Sequence, residues 1–126
     1  MKNILEKITD RKRKEVEIQR DRVPTAALEG RLAVAPPVRD FFAALSEPEG
    51  IQLIAEFKRK SPSAGDIRPG AAVQDVARGY EAAGAAALSI LTDGWGFGGS
   101  LIDLEEARLA VSLPILRKEF IVDRYQ

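Results

Sequence analysis

A chain of 126 residues with 45% hydrophobic content is long enough for one compact core and too apolar to read as disordered. Its 19 basic residues balance 19 acidic ones, so no net field draws it to nucleic acid or to an anionic membrane surface, although local cations still suit a small anionic substrate. With no Cys and no His it lacks disulfides, thiolate or imidazole metal sites and any imidazole base, which leaves chemistry to Lys, Asp, Glu, Ser and Tyr, with no metal or cofactor expected.

Lys2, Glu6 and Lys7 interrupt the N-terminus, leaving no apolar core for a signal peptide, and no later run is long enough to span a bilayer. The expected location is the cytoplasm. From Ile4 to about Arg20 the chain is charged and free of Gly and Pro, and Asp10 to Lys14, Arg11 to Glu15 and Arg13 to Glu17 are each spaced four apart, as on an exposed helix face. Ile4, Leu5, Ile8 and Val16 give that helix a thin apolar stripe. The basic cluster Arg11 to Lys14 also invites a nucleic-acid reading, but interleaved acids and the absence of aromatics favour a solvated helix.

Pro24, Pro36 and Pro37 break this pattern, with short helical stretches around Thr25 to Leu32 and Val38 to Leu45. Residues 1–48 read as a helical extension and 49–126 as the regular part. Ile51 to Lys58 reads as a buried strand ending in charge, followed by the polar loop Arg59 to Gly70. Val73, Val76, Ala77 and Tyr80 mark an amphipathic helix stopped by Gly84. A strand at Ala86 to Leu91 and a glycine-rich loop come next. Ser100 opens a further helix with Asp103 as its capping partner and Leu101, Leu104, Ala107 and Val111 as its inner face. Leu113 to Lys118 is the last strand, with Pro114 near its start where a missing N–H costs least.

Apolar strands alternating with helices make two consecutive βαβ units, hence an α/β fold with a parallel sheet and right-handed crossovers, either doubly wound or a (βα) barrel. Functional groups in such folds collect at the C-terminal ends of the strands, where this chain has Glu56, Lys58 and Lys118. Glu56 and Lys58, two apart on one strand, share a face. A carboxylate beside ammonium groups is a workable acid–base set; the bland alternative is an ion pair closing the end of a sheet, or lysine heads that reach solvent.

Ile54-Ala55-Glu56-Phe57-Lys58-Arg59-Lys60-Ser61-Pro62-Ser63 closely resembles the first-strand signature of the indole-3-glycerol-phosphate synthase family. Further resemblances follow in order at Tyr80-Glu81, Gly84-Ala85, Leu88 to Asp93, Phe97, Gly99-Ser100, Leu113 to Ile121 and Tyr125-Gln126, and the Leu5 to Val16 helix is similar to the family's N-terminal helix. One departure is Lys118-Glu119-Phe120, where the family usually has Lys-Asp-Phe. The resemblance implies a carboxy-lyase of tryptophan biosynthesis that closes 1-(2-carboxyphenylamino)-1-deoxyribulose 5-phosphate to indole-3-glycerol phosphate, with loss of carbon dioxide and water. It also implies roles. Lys118 is the general acid on the ribulose carbonyl, Lys58 positions phosphate or hydroxyl groups and aids dehydration, and Glu56 orients the lysines or shuttles protons. Ser61 lies on a mobile loop over the substrate, and Phe97 and Phe120 wall the pocket.

Gly94, Gly96 and Gly99 satisfy G-x-G-x-x-G between a strand and a helix, with Glu119 about twenty residues on. Against a dinucleotide site stand Trp95 and Phe97 in the turn and the position of every glycine before the Ser100 cap. A (βα)8 barrel takes about 250 residues, so the expectation is a partial TIM barrel holding its first three strands, inactive alone. The uncovered edges of such a sheet suggest a half-barrel assembly module, either self-associating or pairing with a complementary C-terminal fragment.

Overall fold

The computed structural model describes all residues, 1–126, and divides into two compact units, Met1–Pro37 with Phe120–Gln126, and Val38–Glu119. In the first unit, helix α1 (Ile4–Arg22) starts at an Asn3 cap: the Asn3 side chain accepts the Glu6 N–H at 2.9 Å while Glu6 accepts the Asn3 N–H at 2.8 Å. Arg11 pairs with Glu15 as its spacing predicts, but Asp10 pairs with Arg13 and Lys2 rather than with Lys14. The apolar stripe is narrower than expected. Ile8 and Val16 are buried with Lys12 between them, one turn apart each, while Ile4 and Leu5 stay exposed. Lys12 buries its methylene stem and its ammonium meets Glu15 at 2.7 Å. Arg11, Lys12 and Arg13 of the basic cluster are thus matched by acids on their own helix.

Pro24 leads into α2 (Thr25–Glu29), shorter than the predicted stretch because the chain tightens into a 3-10 turn at Leu32–Val34. The C-terminal segment of this unit docks through Tyr125, whose hydroxyl lies 2.7 Å from the Val23 carbonyl and 3.0 Å from that of Gln19, and through Arg20, which pairs with Asp123 and covers the Tyr125 ring.

The second unit begins with α3 (Phe41–Ser46), capped by Asp40. Strands β1 (Ile54–Phe57), β4 (Ala87–Leu91) and β5 (Ile115–Lys118) form a parallel sheet in the order β1-β4-β5, with Glu56 opposite Ser89 and Leu91 opposite Lys118. The α/β class and parallel pairing agree with the sequence reading. β1 is shorter than the predicted Ile51 to Lys58, because its neighbour offers no ladder partner before Ala86 and Ala87, whose N–H groups meet the Leu53 carbonyl; Ile51 therefore lies fully exposed. The loop after β1 contains a hairpin, β2 (Lys60–Ser61) with β3 (Gly65–Asp66).

Helices α4 (Val73–Ala82) and α6 (Leu101–Ala110) cover one face of the sheet. Ala55 and Phe57 from β1, Leu88 and Ile90 from β4, Val73 and Ala77 from α4, and Ala107 from α6 share the core. Each fully buried Leu or Ile contributes about 1.5–3 kcal/mol. The inner face of α6 differs from expectation, since Leu101 is half exposed and Asp103 is buried in its place alongside Ala107 and Val111. The Asp103 N–H is capped by Ser100 at 3.2 Å, but its carboxylate turns inward to Arg59 instead of back to the cap. The glycine-rich stretch holds a helical turn, α5 (Gly94–Phe97), followed by left-handed Gly98.

Two single positions carry large structural consequences. Arg39 caps the C-terminal end of α6 across some seventy residues of sequence, donating to the carbonyls of Val111 (2.7 Å), Leu113 (2.9 Å) and Arg108 (3.2 Å). Arg39→Ala is expected to cost about 2 kcal/mol in urea unfolding through these charge-assisted bonds. A Cβ on Gly99 would fall 2.0 Å from the Leu91 carbonyl oxygen, so Gly99→Ala forces the backbone apart and is expected to cost about 3 kcal/mol, read as a lowered urea midpoint. No helix is long and apolar enough to cross a membrane.

Candidate active site

Parallel pairing brings the charged ends of β1 and β5 to either side of β4. Glu56, in the third position of β1, and Ser89, opposite it on β4, point to the same side, and the Ser89 hydroxyl donates to Glu56 Oε2 at 3.0 Å. Lys118 closes β5 and places its Nζ 2.8 Å from the same oxygen. Lys58, just beyond β1, sits 3.7 Å from the other oxygen, Oε1. One carboxylate is thus bracketed by two ammonium groups and a hydroxyl. The Tyr80 hydroxyl fixes the strand beneath it by donating to the Glu56 backbone carbonyl at 3.1 Å.

Partial burial is the largest single influence on Glu56 and pushes its pKa up, but hydrogen bonds from Lys118 and Ser89 and the charges of Lys118 and Lys58 outweigh it. The carboxyl is held below the ordinary glutamate value and is ionised at neutral pH. A depressed folded-state pKa contributes stability above the unfolded value that is lost as pH falls through the folded one. The melting difference between wild type and Glu56→Gln is therefore expected to shrink on acidification and vanish below the depressed value. A difference independent of pH would contradict the ionised assignment.

The structure thus joins Glu56, Lys58 and Lys118, as the strand-end argument expects. Ser61 is buried, and its hydroxyl accepts the Ala64 N–H at 3.0 Å inside the β2–β3 hairpin, with Ser63 Oγ at 3.4 Å. Phe97 is half-buried at the end of α5. Phe120 belongs to the other compact unit and is half-buried there.

Sequence reasoning missed Ser89 and Arg59. Ser89 is the one hydroxyl in the apolar run Ala87 to Leu91, and that interruption was the available signal. Arg59 shows no such pattern. Its guanidinium grips both carboxylate oxygens of Asp103 at 2.5 and 2.9 Å, donates to the carbonyls of Ala71 and Gly98, and lies over the Phe57 ring. It ties the residue next to Lys58 to the entry of α4, the end of α5 and the start of α6.

The glycine motif does not form a phosphate cradle. The Asp93 carboxylate accepts the Gly96 N–H at 2.7 Å, so an anion of the chain itself already caps this turn, and the tight approach at Gly99 is to the Leu91 backbone.

Comparison with known proteins gives the chain its relatives. A family model described as indole-3-glycerol phosphate synthase matches residues 5–126. The indole-3-glycerol phosphate synthase of Hyphomonas neptunium is 50% identical over 129 residues, taking in 100% of this chain and 49% of that protein. That of Saccharopolyspora erythraea is 44% identical over 124 residues, covering 98% of this chain and 46% of that protein. That of Neisseria meningitidis is 46% identical over 129 residues, covering 100% and 50%. The chain spans about half the length of the curated relatives it matches.

Proposed function

The chain belongs to the indole-3-glycerol phosphate synthase family, and from that premise we propose that it carries an acid–base part of the site closing 1-(2-carboxyphenylamino)-1-deoxyribulose 5-phosphate to indole-3-glycerol phosphate. In this reading β1, β4 and β5 are the first strands of a (βα)8 barrel, completed by strands corresponding to the second half of the relatives. The observation that carries it is the Lys118 ammonium 2.8 Å from an ionised Glu56 with Lys58 at the other oxygen.

The chemistry asks for that arrangement. The ring carbon bearing the carboxylate attacks the ribulose carbonyl, and the Lys118 ammonium gives the carbonyl oxygen its proton as negative charge develops there. The ring loses carbon dioxide, and the electrons of the broken bond return to it. The new hydroxyl then leaves as water, with loss of a proton from the methylene carbon beside the nitrogen, to give the indole with its N–H retained. Lys58 positions the substrate's phosphate or hydroxyl groups and assists dehydration, while Glu56 holds both lysines in register and relays protons. Ser61 shapes the loop at the mouth, and Phe97 offers an apolar wall to the aromatic ring.

A specific observation favours a second reading beside this one. Ile54 and Leu116, on the face of the sheet away from α4 and α6, are 42% and 46% exposed, and β1 and β5 each pair on one side only. In that reading the chain is an assembly module whose sheet is completed by another chain. A single sedimenting monomer at high concentration would remove it.

Trp95, the only tryptophan, sits on α5 two residues before Phe97 and supplies the fluorescence probe. The substrate analogue with its carbonyl reduced to an alcohol is expected to change Trp95 fluorescence saturably, and Lys118→Ala to weaken that response. Saturable quenching by reduced nicotinamide dinucleotide, with none by the analogue, would overturn the reading.

A further inference from the structure

We propose that Thr92 and Glu119 are positioning residues that hold Lys118 where its ammonium meets Glu56. Lysine has a long flexible stem, and the Lys118 side chain is about half exposed, so little packing fixes its head. Its placement has to come from the backbone that carries it.

That backbone is clamped on both sides by one residue. Thr92, just past β4, donates its N–H to the Lys118 carbonyl at 3.1 Å. Its hydroxyl donates to Glu119 Oε2 at 3.0 Å and accepts from Arg117 Nε at 3.2 Å. Arg117 Nη2 lies 3.8 Å from the same Glu119 oxygen, and the Glu119 side chain is 3% exposed. A hydroxyl has one proton and two lone pairs, so this set uses its donor and one acceptor. The residues before and after Lys118 are thereby held on one hydroxyl on one side of the strand, and alternation turns Lys118 to the other, toward Glu56. Asp93, next to Thr92, caps α5, so the clamp also anchors the turn that carries Phe97.

The consequence for turnover rests on the role given to Lys118 above, but the geometry does not, and it is read without substrate. Glu56 faces Lys118, Lys58 and Ser89, and its titration can be followed through its side-chain carboxyl carbon by NMR in the 126-residue chain. Thr92→Val removes the hydroxyl at nearly constant shape, while Thr92→Ser keeps it. Slackening the Lys118 contact moves the Glu56 titration to higher pH in the valine variant than in the serine variant. Glu119→Ala and Glu119→Gln remove the same charge, which alone would lower the Glu56 titration equally in both, but only glutamine keeps an acceptor for Thr92. The alanine variant is therefore expected to titrate at higher pH than the glutamine variant. Equal titrations within the pairs would overturn the clamp, and should the valine variant fail to fold, the Glu119 pair decides alone.

Discussion

Lys118→Ala is expected to abolish most of the turnover of the completed barrel, by about 10²- to 10⁴-fold in kcat, the range for removing a general acid. Because the ammonium acts mainly on charge developing at the carbonyl oxygen, KM should change much less than kcat. The same substitution removes the hydrogen bond and charge that most strongly lower the Glu56 pKa, so Glu56 should titrate higher. The paired readouts separate a lost acid from a collapsed fold. A variant that loses turnover while Glu56 stays where it was would mean that the 2.8 Å contact is not the one that matters.

Asp103→Asn is expected to cost the most stability of any charge-neutralising change in the chain. Asp103 is nearly buried and takes both arms of the Arg59 fork, which holds the ends of α5 and α6 and the entry of α4 to the strand carrying Glu56. Asparagine leaves a partly buried guanidinium with one neutral acceptor where it had an ion pair, a loss of about 3 kcal/mol and on the order of 10 °C in melting temperature. Arg59→Lys should be nearly as damaging, since an ammonium keeps the charge but cannot span two carboxylate oxygens and two carbonyls together. Equilibrium urea unfolding and thermal melts measure both, and a loss under about 0.5 kcal/mol, the size of an exposed pair, would refute the buried-fork account.

The parts of this fold that repeat along the chain were legible from residues alone. Val73, Ala77 and Tyr80 recur at the helical period, and the apolar run Ala87 to Leu91 is buried throughout, so helix, strand and parallel order could be inferred. Glu56, Lys58 and Lys118 could be placed together because strand ends converge in a parallel sheet. What the sequence hides is contact between residues far apart in it. Nothing in the neighbourhood of Arg39 announces that it caps a helix some seventy residues later, and Asp103 looks like an ordinary cap partner until Arg59 draws it inward. Leu101 was assigned to the core by the same logic that succeeded on α4, and failed because a buried ion pair took the inner face of that turn. Ser89 lies inside a strand that reads as apolar and Thr92 in the short segment just past it, although their hydroxyls are what connect that strand to its charged neighbours.

The most direct measurement is the rate of indole-3-glycerol phosphate formation when this chain is joined to the second half of the Hyphomonas neptunium relative, followed by the fluorescence of the indole product. Turnover of carboxyphenylamino-deoxyribulose phosphate that depends on Lys118 and Glu56 together is expected. A joined protein that folds cooperatively and binds the reduced analogue, yet forms no product, or forms it as fast with Lys118→Ala, would contradict it.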